Sequence, residues 1–286
     1  MFRLERRALK SMALASKRGL LVLMVLVLNV TFAQAQTLNF TSKDGKPIEI
    51  TADNGIEWQQ DRQVFVARGN AKALSGEATI TADELRAYYK DKGAAGTGGT
   101  DIWRMDALGK VTIRSPQETV TGGKAVYDVE NAILIVSGGT VRLVSGADTI
   151  TADGQLEYWE RKQMAVARGN ARAVRGTRNL RADVLATYFK KTKNGGTKAY
   201  RIDAFDDVQI KTEKDRATAD RGVYNVESGI ATLTGSVNII RGKNILKGCS
   251  ADINLNTGLS NLHSCPKASQ TGTQGRVSGV LRPTKK

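Results

Sequence analysis

The chain has 286 residues and a formal net charge of +15, with 29 Gly, 4 Pro, 2 Cys and 1 His. One His and two Cys cannot make a multi-histidine metal site or a closed zinc site. At 41% hydrophobic and 25% charged residues, it reads as a folded chain of about two domains, or one large β-rich domain.

The first segment is an export signal. Residues 1–18 carry Arg3, Arg6, Arg7, Lys10, Lys17 and Arg18 against Glu5 alone. An apolar run, Leu20 to Phe32, leads to Ala33-Gln34-Ala35. A basic start, a short apolar run and an A-x-A site predict a secretory signal peptide, residues 1–35, cleaved after Ala35. The run is shorter than the roughly 20 apolar residues of a membrane span.

From residue 46 onward the body repeats itself. Ile50-Thr51-Ala52-Asp53 recurs as Ile150-Thr151-Ala152-Asp153, and Val66-Ala67-Arg68-Gly69-Asn70-Ala71 as Val166-Ala167-Arg168-Gly169-Asn170-Ala171. Later matches, such as Tyr127 with Tyr224, slip to an offset of 97 at the Gly-rich stretches 93–100 and 191–198. Two repeats are expected, at 36–145 and 146–265, the second with closing strands. Within them apolar and polar residues alternate over five to eight positions, bounded by Gly, Asn and Asp. That period predicts half-buried antiparallel strands. Gly69, Gly169 and Gly235 suit bends inside strand pairs. No helix is expected outside the signal. The inward set is expected to include Val64, Val66 and Val166 alongside the isoleucines, and the free edges are expected at 48–53 and 250–256. Residues 266–286, with five basic residues and no acid, read as a disordered basic tail.

Charge then divides into three. Signal, tail and body each contribute +5. A body so mildly basic, without a clustered basic stripe, argues against a nucleic-acid partner.

Catalytic chemistry finds no foothold. Asp53, Asp83, Asp153 and Asp183 recur once per unit, as a turn or strand-end residue would, whereas a catalytic acid is placed once. His263 has no nucleophile motif near it. Cys249 and Cys265, 16 apart in an exported chain, suit a disulfide tying the last strand to its flank. No cofactor and no metal are expected. The apolar face can be a packed β core or a trough for an acyl chain, and its alternation alone favours the core.

The run Pro47-Ile48-Glu49-Ile50-Thr51-Ala52-Asp53, then Val64 to Ala71, then Ile80-Thr81-Ala82-Asp83, resembles the opening of LptA/OstA-type lipopolysaccharide transport proteins. Gly109-Lys110-Val111-Thr112-Ile113 and Tyr127-Asp128-Val129 continue the likeness, with Ala71 standing where the pattern has Val. The resemblance implies a twisted, incompletely closed β-jelly roll of stacked antiparallel strands. It implies a periplasmic bridge, not an enzyme, that carries lipopolysaccharide from the inner to the outer membrane. It implies an LptC-like inner-membrane partner, an LptD-like outer-membrane partner and head-to-tail assembly of copies. Family acyl-chain contacts match Ile48, Ile50, Ile113, Tyr127 and Val129; the internal repeat extends them to Ile150, Ile210, Tyr224 and Val226. Two other readings stand beside it: an LptC-like membrane-anchored adaptor and a polysaccharide-acting β-helix enzyme.

Overall fold

The computed structural model describes residues 48–91, 100–192, 197–213, 215–254, 256–257, 259–265 and 276–281. The expected signal peptide, most of the expected tail and most of the Gly-rich stretch 93–100 lie outside them.

Among the described residues every element except one helical turn is a strand, and all the strands belong to one antiparallel sheet. It starts with a split strand, β1 (Glu49–Thr51) and β2 (Ile56–Gln59), laid along the two ends of β3 (Val64–Ser75). The chain then meanders through β4 (Ala78–Asp91), β5 (Thr100–Arg114) and β6 (Glu118–Asp128). A second split strand, β7 (Ile133–Ser137) and β8 (Val141–Ser145), pairs with β6. A third, β9 (Asp148–Ala152) and β10 (Gln155–Trp159), pairs with β8 and β7 on one side and with β11 (Met164–Arg175) on the other. This is the join between the repeats, and the ladder crosses it without a break. A 3-10 turn, Glu160–Lys162, follows β10. The meander resumes with β12 (Arg178–Lys191), β13 (Thr197–Lys211), β14 (Asp215–Asn225), β15 (Ile230–Arg241) and β16 (Asn244–Asn254). Among the described residues no ladder joins the two ends, so the sheet stays open.

The chain ends on a fragment of a third unit. β17 (Ser260–His263) and β18 (Ser278–Val280) pair with the two ends of β16 as β3 pairs with β2 and β1. Arg68 bonds Glu57 across β3 and β2, and Arg168 bonds Glu157 across β11 and β10. In the same register His263 Nε2 lies 3.2 Å from Asp252 Oδ2. Two expectations change here. Residues 278–280 of the tail are a strand, because the outer end of β16 would otherwise present unpaired peptide groups. For the same reason the edge expected at 250–256 is not free over Ser250–Ile253, where β17 pairs with it.

A bent seam crosses the strands at mid-length. Register shifts fall between Arg68 and Ala71, Leu108 and Val111, Arg168 and Ala171, Phe205 and Val208, and Thr234 and Val237. At each, two consecutive residues take positive φ: Gly69-Asn70, Gly109-Lys110, Gly169-Asn170, Asp206-Asp207 and Gly235-Ser236. Two of the repeated aspartates, Asp53 and Asp153, serve this seam. Asn70 Nδ2 donates to Asp53 Oδ2 at 2.8 Å, and Asn170 Nδ2 to Asp153 Oδ2 at 2.9 Å. The Asp53 and Asp153 amides donate to the Gly69 and Gly169 carbonyls.

Cys249 on β16 and Cys265 just past β17 are joined as a disulfide closing a separation of 16 residues. Loop closure of that size is worth about 3 kcal/mol in the chain-entropy account. Cys249→Ser is therefore expected to lower the urea-unfolding free energy by about that amount, and added reductant to do so in the parent protein but not in the variant.

Candidate functional site

Register sorts the side chains into rows that run across the whole sheet. On one side of the seam an inward row passes through Phe65, Ala87, Met105, Tyr127, Leu134, Tyr158, Ala165, Thr187, Ile202, Tyr224, Ala231 and Ile253. On the other side a row passes through Ile50, Ala73, Ile80, Ile113, Val120, Leu143, Ile150, Ala173, Leu180, Ile210, Ala217, Ile239 and Leu246. Small residues beside the seam, Ala71, Ala82, Ala152, Ala171 and Ala182, bring the two layers together.

The layers face each other. Residues from both join one apolar cluster. The Tyr158 phenol of one layer feels the Glu118 carboxylate of the other, and Tyr224 feels the Arg178 guanidinium. The bend at the seam thus folds an open sheet into two layers around an apolar interior.

Within it the expected groove residues divide by depth. Ile113 and Tyr127 are buried; Ile48, Ile50, Val129, Ile150, Ile210, Tyr224 and Val226 are half-buried. All except Tyr224 and Val226 are in or against the cluster. Three expected inward residues are not inward. Val64 and Val66 alternate with Phe65 and Ala67, which face the interior, and Val66 lies between Glu57 and Arg86 on the outer face. Val166 lies likewise beside Glu157. These valines are buried on the outer face, where the stems of long charged neighbours can cover them.

Tyrosines give the interior a pH signature. Burial first, then the Glu160 and Glu118 carboxylates, push the Tyr158 phenol up to about 12. Burial also raises Tyr127 and Tyr224. Between pH 10 and 12 the folded state then holds a proton that the unfolded chain has released, so stability falls as pH rises through that window. We expect the urea midpoint to fall between these values, and Tyr158→Phe to reduce that loss by roughly 2 kcal/mol.

The outer faces of the two layers differ in charge. On the layer bearing Val66, acids are paired: Arg104 with Asp106, Arg201 with Asp203, Arg168 with Glu157. On the other layer a row beside the seam runs Lys72, Thr81, Thr112, Thr121, Arg142, Thr151, Arg172, Arg181, Gln209, Thr218, Asn238, Lys247, and holds no acid. The sequence shows no such stripe because its members lie up to 175 residues apart in the chain. Only strand register assembles them.

Among the described residues no cluster of His, Cys, Asp and Glu could hold a metal ion, and no helix is long and apolar enough to cross a membrane.

Against known families, the chain matches the model for the LptA/(LptD N-terminal domain) LPS transport protein twice, over residues 49–158 and 149–259. The matches overlap on β9 and β10, which complete the first unit and open the second. A curated relative, an uncharacterized protein of Rhizobium meliloti (strain 1021), is 27% identical over 137 residues, 48% of this chain and 72% of the relative. A solved structure, LptH of Pseudomonas aeruginosa, is described as the LptA homologous periplasmic component of the conserved lipopolysaccharide transport device. It is 12% identical, over 85% of this chain and 99% of its own, with a TM-score of 0.22.

Proposed function

Given that the chain belongs to the LptA/LptD N-terminal-domain family of lipopolysaccharide transport proteins, we propose that it is a non-catalytic periplasmic carrier whose two-layered interior holds the acyl chains of lipopolysaccharide on the way from the inner to the outer membrane. One observation carries this reading: the inward rows, apolar at every position but Thr187, continue from β1 and β2, through the join at β7 to β10, to β16. An acyl chain gains about 0.8 kcal/mol per methylene removed from water, so such a trough can hold lipid without nucleotide hydrolysis by this chain. Ile48, Ile50, Ile113, Tyr127, Val129, Ile150, Ile210, Tyr224 and Val226 are the proposed contacts.

Open ends support a bridging role. The β1 and β2 edge is unpaired among the described residues and exposes Ile56 and Trp58 on its inward side. Inside the chain the equivalent edge, β9 and β10, is covered by β8 and β7, with Val136 opposite Leu156 and Leu134 opposite Tyr158. A strand of that kind on an LptC-like or LptD-like partner, or on a second copy, would extend the sheet and its trough together.

A photo-crosslinking residue tests the reading at Ile150, half-buried on the inward row, with the outward neighbour Thr151 as control. Adducts with lipopolysaccharide at Ile150 and not at Thr151 are expected. Equal capture at both, or none at either, would remove the trough.

A further inference from the structure

The two repeats share a ladder, but their interiors are built differently. In the first, Ala73, Ile80, Met105, Ile113, Val120 and Tyr127 are all buried. Their counterparts in the second, Ala173, Leu180, Ile202, Ile210, Ala217 and Tyr224, are all half-buried. The cause is legible residue by residue. Phe65 becomes Ala165, Val120 becomes Ala217 and Leu134 becomes Ala231, each at the same register position. Side-chain volume is removed from both layers, and the changes from Ala87 to Thr187 and from Val136 to Leu233 return only part of it.

The first repeat is also stoppered by aromatic rings. Trp58 stacks on Phe65 with centroids 5.4 Å apart, Phe65 meets Tyr89 at 5.1 Å, and Trp58 Nε1 donates to the Tyr89 hydroxyl at 2.7 Å. Without Phe65 the second repeat cannot form this stack. It carries a cation instead: buried Ala78 of the first repeat corresponds to Arg178, at the inward end of β12. From the facing layer, Arg178 pulls down the Tyr224 phenol that burial raises.

Resting on the function proposed above, we infer that the repeats divide the work. The second repeat is the standing lipid-holding trough, taking an acyl chain over Ile150, Leu180, Ile210 and Tyr224 with the amphiphile's acidic group at Arg178, and the first, filled at rest, admits a chain along Ile50, Ile113 and Tyr127 only when its core opens. A trough with an apolar floor and a cation at its lip fits an acidic amphiphile better than a neutral one. The filled first repeat offers no room for a chain unless its core opens.

Paired crosslinking separates this inference from the reading beneath it. A photo-crosslinker is placed in the full chain at Leu180, Ile210 and Tyr224, and at their counterparts Ile80, Ile113 and Tyr127, and lipopolysaccharide adducts are compared. Capture at Leu180, Ile210 and Tyr224 well above that at Ile80, Ile113 and Tyr127 is expected. Equal capture in both sets overturns the division of labour and leaves a lipid-carrying interior standing; capture in neither overturns both. Since a bulky probe at Ile113 can unfold the chain, a second variant fills the trough instead. Ala165→Phe, Ala217→Val and Ala231→Leu together restore the first repeat's residues. They are expected to weaken dodecyl phosphate binding by about tenfold or more while raising the melting temperature. Unchanged binding with a raised melting temperature overturns the inference. Arg178→Ala is expected to weaken dodecyl phosphate by about tenfold and leave the neutral dodecyl maltoside unaffected; equal effects on both probes overturn the role of Arg178.

Discussion

Gly169→Ala is expected to destabilise the fold by about 3–4 kcal/mol, a loss of about 10 °C in melting temperature for a domain of this size. Gly169 sits on the seam with φ at +83°, where a side chain costs about 1–2 kcal/mol in backbone strain. Its new Cβ would also stand 2.8 Å from the Gly154 amide nitrogen and 3.3 Å from the Gly154 Cα, in the segment between β9 and β10. No rotamer relieves a clash between a Cβ and a backbone. Gly139→Ala separates the two contributions: its φ is +76° but nothing lies within 4 Å of the added carbon. Thermal melts should place Gly139→Ala about 1 kcal/mol below the parent and Gly169→Ala well below that. Equal losses would mean that strain alone sets the seam and the close approach of β11 to the chain between β9 and β10 contributes nothing.

That seam explains how much of this fold could be read in the sequence. Gly-Asn at 69–70 and 169–170 announces a bend because glycine and asparagine tolerate positive φ, and the alternation on either side announces strands. Asp206 and Asp207 hold the same conformation without glycine, so that bend carries no sign in composition. The valines at 64, 66 and 166 mislead for a related reason. In Val-Phe-Val-Ala both phases are apolar, and alternation cannot choose a face when both faces are buried. Register against Glu57 and Arg86 decides it, and register is a property of the folded ladder.

The site was legible by kind and not by depth. Repeat and resemblance together name Ile113 and Ile210, or Tyr127 and Tyr224, as equals. Only the neighbours distinguish them: Val120 and Leu134 on one side, Ala217 and Ala231 on the other. Those residues lie on adjacent strands, seven positions away along the chain, and a motif read in order gives them no special weight. The cationic row from Lys72 to Lys247 was hidden in the same way. One basic residue on each of several strands is unremarkable in sequence and becomes a stripe once the strands align.

One substitution made twice tests this difference in depth most sharply. Ile113 is fully buried in the apolar cluster. Ile113→Asp places a carboxylate among apolar neighbours, where it must remain protonated or unfold the layer. The expected cost is about 5 kcal/mol, enough to exhaust the stability of an ordinary domain. Ile210→Asp occupies the same register position in the second repeat, where the side chain is half-buried and its charge keeps part of its hydration. There the expected cost is about 1–2 kcal/mol, with the circular-dichroism spectrum of a folded β protein retained. The effect should appear in binding instead, because a charge on the trough floor must be desolvated by any acyl chain laid over it. A folded Ile210→Asp chain that no longer shifts its melting temperature on adding dodecyl phosphate, beside an Ile113→Asp chain that is unfolded without it, is the expected pair of results. If both variants unfolded alike, the second repeat would be as tightly packed as the first, and its half-buried rows would be the surface of a closed core.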